Sequence, residues 1–98
     1  MVRVAYTGGM PNEVLDLRPL PPPQRHGLVF ATFDALALNE SFQLINDHDP
    51  FPLRNQMDFM RHGEMGWEYL EQGPVDFRIK ITRIAEAKKP KGAAQTTA

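Results

Sequence analysis

Three short runs of the chain hold residue types that do chemistry. Asp47-His48-Asp49 sets an imidazole between two carboxylates, a pattern that can bind a divalent metal or use the histidine as a general base. His26 is a second imidazole. With His48 and Asp47 it could make three ligands and leave one coordination position open for water or substrate. Arg18 could clamp a carboxylate through two parallel hydrogen bonds, either a ligand's or that of Asp47, with Asp16 as the alternative partner. Each run also has a plainer reading. Asp49-Pro50 is a helix start, with Asp49 as cap and Pro50 as first helical residue, and Asp47 could serve the same helix end. His26 at a helix start is ordinarily solvated, and Arg18 in an internal ion pair is ordinarily structural. His62 follows the second helix, at the far end from His48. A helix of about 11 residues spans roughly 16 Å, so one metal cannot use both. His62 is read instead as a side chain interacting with the negative end of that helix.

Catalysis has little else to work with. There is no cysteine, which removes a thiol nucleophile, a disulfide scaffold and any cysteine-bound zinc or iron–sulfur site. The one serine, Ser41, has no base near it in sequence. No glycine-rich phosphate loop or dinucleotide fingerprint is present.

The candidate residues must be positioned by a small set of elements. Val2, Val4 and Tyr6 alternate with Arg3 and Ala5, either a short strand or a mobile tail, and Thr7–Asn12 reads as a turn. Glu13–Leu17 is a short strand, stopped by Pro19 and Pro21-Pro22-Pro23, which cannot continue a sheet but suit a helix start. A helix follows from about Pro23 to Ala37, burying Val29, Thr32, Phe33 and Leu36 opposite Arg25 and Asp34. Ser41–Asn46 is the second strand, with Phe42 and Leu44 on one face and Ile45 on the other. The second helix runs from Pro50 to about Arg61 and buries Leu53, Met57 and Met60. Met65, Trp67 and Tyr69 alternate along a third strand, and Gln72-Gly73-Pro74 turns the chain. Val75, Phe77, Ile79 and Ile81 then alternate with polar residues in a fourth strand that is dry on one face and wet on the other. Trp67 and Tyr69 are core if their face meets the helices, and an aromatic partner-binding patch if it does not. Ala85–Ala98 is expected to be a disordered tail.

This order predicts an α+β fold, a two-layer β-α-β-α-β-β sandwich. A mixed four-stranded sheet carries two helices on one face, in one domain over residues 13–84 behind an extension at 1–12. A right-handed crossover makes the first two strands parallel. Their shared edge then gathers Asp16, Arg18, the proline run, His26, Asp47, His48 and Asp49.

Composition narrows the function further. Of the 98 residues, 42% are hydrophobic and 23% charged, which is globular. The formal charge is −1, but Lys88, Lys89 and Lys91 against Glu86 give the last 14 residues +2, so the first 84 carry −3. An acidic body lacks the footprint that nucleic acid requires. No secretory signal or membrane span is visible, so a soluble cytoplasmic protein is expected, and the lack of cysteine fits a reducing compartment.

The segments Leu15-Asp16-Leu17-Arg18-Pro19-Leu20-Pro21-Pro22-Pro23, Phe33-Asp34-Ala35-Leu36, Asn46-Asp47-His48-Asp49-Pro50 with Pro52-Leu53, and Trp67-Glu68-Tyr69 resemble an uncharacterised domain family. Its pattern reads "LDLRPLPPPxRH…FDAL…NDHDPxPL…WEY…GP…RITR", over roughly Leu15 to Arg83. The resemblance implies the fold of the TusA/SirA-like sulfur carriers and association with hemerythrin-like domains, hence with iron, oxygen, nitric oxide or redox proteins. The carriers hold a persulfide on a cysteine at the first helix's N-terminus, in "LDxxGLxCPxP". Aligning Leu15-Asp16 and Leu20 puts Pro22 at that position, and a pyrrolidine ring cannot accept sulfur. What the likeness leaves is the scaffold and a helix N-terminus whose free amides could bind an anion.

The expectation is therefore a small binding or adaptor domain rather than an enzyme. It would use Arg18, His26, Asp47, His48 and Asp49, or the open sheet face, for a small ligand or protein partner, which the resemblance implies could be a hemerythrin-like protein. The alternatives are a divalent metal held by His26, His48 and Asp47, or a small enzyme with His48 as acid/base.

Overall fold

The structure is a computed structural model that describes residues 2–3 and 12–87. The expectations for Val4, Tyr6 and the turn before Asn12, and for the tail from residue 88 onward, lie outside the described residues. Strands β1 (Val2–Arg3), β2 (Val14–Asp16), β3 (Ser41–Asn46), β4 (Met65–Gln72) and β5 (Phe77–Arg83) are joined by helices α1 (Pro22–Asp34) and α2 (Phe51–Met60). The sheet order is β1-β2-β3-β5-β4. β2 and β3 are parallel, as a helical crossover requires, while β3–β5 and β5–β4 are antiparallel. The expected mixed four-stranded sheet is β2 to β5, and β1 extends it by two residues parallel to β2.

Register explains where the core sits. Leu15 lies opposite Leu44, Leu44 opposite Ile79 and Ile79 opposite Tyr69, so one row crosses four strands on one face. Phe42, Ile81 and Trp67 make the next row. Val29, Phe33 and Leu36 from α1 and its exit, with Leu53 and Met57 from α2, complete the core over this face. Gln43, Lys80 and Glu68 form a row on the other face, which is polar, as alternation predicts. Trp67 and Tyr69 thus face the helices. They are partly buried and pack against the core rather than forming a patch on the open face.

Several expectations are corrected. Arg25 is buried instead of standing opposite the apolar stripe. α1 begins one residue early, at Pro22, and stops at Asp34 instead of continuing to Ala37. There the Arg83 guanidinium donates to the carbonyls of Phe33 (3.2 Å) and Leu36 (2.8 Å). Satisfying terminal carbonyls in this way ends a helix. Arg83 also donates to Glu64 at 3.1 Å, with both side chains buried. α2 starts at Phe51, with Pro50 as the residue before it and Pro52 inside its first turn. Pro50 has ψ 48°, outside the helical range, so it does not open the helix, and no side chain caps that end. Met60 is 52% exposed, because only Leu53 and Met57 of the stripe reach the sheet before the helix ends. Val75 lies in the turn and is 71% exposed, and β5 begins at Phe77. Gly73, with φ +80°, makes that turn and its amide donates to the Asp76 carbonyl at 2.8 Å.

Among the described residues no helix is long and apolar enough to cross a membrane.

Candidate functional site

β2 and β3 run parallel, so their C-terminal ends share one edge of the sheet, and α1 and α2 begin there. Leu17 continues the ladder for one step, its amide donating to the Ile45 carbonyl at 2.9 Å. After it the chain turns, and Arg18 folds back on Asp16 with Nε–Oδ1 at 2.7 Å and Nη2–Oδ2 at 2.6 Å. Its Nη1 lies 3.3 Å from Asp76 in the β4–β5 turn. The Asp16 carboxyl is held below its ordinary range chiefly by the hydrogen bonds from Arg18. Arg18 is therefore half of an internal clamp and does not reach Asp47.

The centre of the edge belongs to Arg25, whose side chain is 8% exposed. Nε donates to the Leu20 carbonyl (3.0 Å) and Nη1 to Asn46 Oδ1 (2.8 Å) and Asp47 Oδ1 (2.9 Å). Nη2 donates to the Arg18 carbonyl (3.2 Å) and Asp47 Oδ2 (3.3 Å). A guanidinium has five N–H groups, and here each has an acceptor. Asn46, also buried, uses its amide nitrogen to donate to the His48 carbonyl at 3.0 Å. These bonds fix the Asn46–His48 backbone and explain why Asp47 is not a helix cap. Its carboxylate is occupied by Arg25 and, at 2.8 Å, by His48 Nδ1, which together hold it far below the usual carboxylate range.

The remaining candidates have other partners. Asp49 does not cap α2; its Oδ1 accepts the Tyr69 hydroxyl at 2.7 Å. Burial and the neighbouring carboxylate push the Tyr69 phenol upward. His26 Nδ1 lies 2.7 Å from Gln56 Oε1 and links α1 to α2. His62 sits beyond the end of α2, in the turn before β4.

A cleft of about 60 Å³ opens between these groups, lined by Leu17, Pro22, Arg25, His26, Asn46, His48, Pro50, Pro52 and Leu53. That is room for roughly four water-sized atoms' worth of ligand at about 15 Å³ each. The expected free amides at the start of α1 are absent. Pro22 and Pro23 occupy its first two positions without an N–H, and the Gln24 amide donates to the Pro21 carbonyl at 2.9 Å. Of the predicted site, the structure brings Arg18, His26, Asp47 and His48 to one edge, but only the two histidines line the cleft. Among the described residues, no three His, Asp or Glu side chains are grouped to hold a metal ion. Sequence reasoning missed Arg25 and Asn46. The signal for Arg25 was its place in the first turn of a helix, where a cation opposes the dipole and needs an anion nearby.

The family described as an uncharacterized conserved protein (DUF2249) matches residues 14–83, most of the chain and all of the edge just described. No curated protein matches the sequence.

Proposed function

The chain belongs to the DUF2249 family of uncharacterized conserved proteins, and from that premise we propose that it is a non-catalytic binding domain whose partner engages the cleft between His26 and His48. One observation carries the reading: residues from both helix starts and both parallel strand ends converge on this cleft. Their charged groups are already paired with one another. Such pairing makes a rigid receptor, since the geometry is set before a ligand arrives. It makes a poor catalytic centre, because Arg18, Arg25 and Asp47 have no uncommitted role toward a substrate. Ser41, the only serine, begins β3 and so lies at the strand end away from the cleft. The resemblance to chains that accompany hemerythrin-like domains makes a hemerythrin-like protein the first partner to try.

The test is capture by the full chain compared with a His26→Asn/His48→Asn double variant. Partner captured by wild type and lost by the double variant, with both melting within a few degrees, supports the reading. Equal capture by the two proteins overturns it.

A further inference from the structure

The hydrogen-bond inventory of the cleft points to the chemistry of its occupant. His48 Nδ1 lies 2.8 Å from a carboxylate oxygen, and His26 Nδ1 lies 2.7 Å from an amide carbonyl oxygen. Both oxygens only accept hydrogen bonds, Asp47 being kept ionised by Arg25. Each Nδ1 therefore carries a proton, and in the neutral form of such a ring Nε2 is a lone-pair acceptor. Both rings line the cleft while Gln56 and Asp47 do not, and with Nδ1 engaged Nε2 is the ring nitrogen left for a ligand.

Donors are scarce around those two acceptors. All five N–H groups of Arg25 are engaged, and the Asn46 amide accepts from Arg25 and gives one of its two N–H groups to the His48 carbonyl. Pro22, Pro50 and Pro52 contribute no N–H to the wall. An anion entering here would meet two imidazole lone pairs and a guanidinium whose N–H groups are all engaged. Leu17 and Leu53 supply apolar contact for a short alkyl stem. From this juxtaposition we infer that the cleft receives an alkylammonium group, hydrogen-bonded to Nε2 of His26 and His48 with its stem against Leu17 and Leu53. It therefore selects a basic, amine-bearing ligand over an acidic one. The two sources of that chemistry are a lysine side chain of the partner and a free primary amine. The inference rests on the binding reading above and names the class of its ligand.

The experiment follows the imidazole nitrogens of the full chain by long-range proton–nitrogen NMR. The resting spectra should show both rings as Nδ1–H tautomers. The probes are n-butylammonium chloride, Nα-acetyl-lysine methylamide, sodium butyrate and zinc chloride. Butylammonium should move the His26 and His48 ring signals saturably and leave His62 in place, while butyrate moves neither. Binding of the lysine derivative as well assigns the cleft to a partner's lysine, and binding of the small amine alone assigns it to a free amine. His26→Asn and His48→Asn keep a side-chain amide near the Nδ1 position and delete Nε2, so each should weaken butylammonium binding at least tenfold. An Nε2–H tautomer in either ring, butyrate binding as tight as butylammonium, or one equivalent of zinc saturating both rings would overturn the inference. Should butylammonium fail while partner capture still depends on both histidines, the ligand class falls and the binding reading stands. Capture indifferent to both histidines removes the binding reading itself.

Discussion

Arg25 and Asp47 meet through two contacts, Nη1–Oδ1 at 2.9 Å and Nη2–Oδ2 at 3.3 Å, that tie the first turn of α1 to the end of β3. The two ends of the pair are unlike. The guanidinium is 8% exposed and the carboxylate 48%, so the arginine carries most of the desolvation and the aspartate keeps access to water. Arg25 compensates by donating to three further acceptors of the protein, and the pair therefore belongs to a network that shapes the edge.

Replacing Arg25 by methionine should consequently be costly even though Asp47 can rehydrate. The change strands Asn46 Oδ1 and the Leu20 and Arg18 carbonyls, and unsatisfied buried acceptors cost about 1–3 kcal/mol each where water cannot reach them. A loss of roughly 2–4 kcal/mol in urea unfolding is expected, allowing for partial hydration. Arg25→Lys should recover only part of it, because an ammonium cannot serve five acceptor directions. A loss within experimental error would show that the network contributes no net stability.

The two carboxylates of this edge make a pH prediction. Asp16 and Asp47 are both lowered from the ordinary 3.8, the first mainly by hydrogen bonds from Arg18 and the second mainly by those from Arg25. A carboxylate more acidic in the folded state adds stability that is fully present above its unfolded value and is lost as pH falls through the folded one. Unfolding free energy should therefore be flat from neutrality to about pH 5 with respect to these groups, then decline below about pH 4. Asp16→Asn and Asp47→Asn should each lower stability at pH 7 and flatten the decline. A decline of unchanged steepness in both variants would refute the assignment.

Much of the fold was legible because its pattern is local. The alternation of Phe77, Ile79 and Ile81 and the apolar run of Ser41–Asn46 state their own strand faces, and Pro21–Pro23 announces a helix start. The polar edge was legible as a place, since parallel β2 and β3 must end together. Its wiring was not. Arg18 looked able to serve Asp47 but closes on Asp16, and the buried Arg25 reaches Asp47 across 22 positions of sequence. A helical wheel assigns a cation to solvent, and only the approach of Asn46 and Asp47 from a different element overrides that. Asp49-Pro50 failed as a cap signal for a similar reason, because Tyr69 from β4 takes the carboxylate.

Glu13 is a place where the sequence works against stability. Its side chain is buried just before β2, and neither carboxylate oxygen has a hydrogen-bond partner among the described residues. A buried carboxyl group without a hydrogen-bond partner is unfavourable, and an apolar residue of similar size removes the penalty without leaving a hole. Glu13→Met should raise stability by about 1–3 kcal/mol and the melting temperature by several degrees. If the variant melts below wild type, Glu13 has a compensating interaction that its surroundings do not reveal.

The opposite end of α1 gives a sharper test of how buried charge acts in this fold. Arg83 donates to Phe33 and Leu36 carbonyls, to Glu64 at 3.1 Å and to the Ala85 carbonyl at 3.3 Å, with its guanidinium 4.4 Å from the centre of the Phe33 ring. Both charged side chains are buried, so removing Glu64 alone leaves an arginine facing only neutral acceptors and a π face. Glu64→Ala should cost about 3 kcal/mol, near the low end for a broken buried pair because the negative end of α1 still favours the cation. Glu64→Gln keeps an acceptor and should cost less. Arg83→Met takes the donor from the α1 carbonyls and one ion-pair partner from Glu64, and should be the worst single change. The double variant Arg83→Met/Glu64→Leu should lose at least about 1 kcal/mol less than the two single losses added, since the loss of the Arg83–Glu64 bond is counted in both single variants. Additive losses in that cycle would mean that the ion pair and the helix end stabilise the fold independently, and that Glu64 does not serve to hold Arg83 against α1.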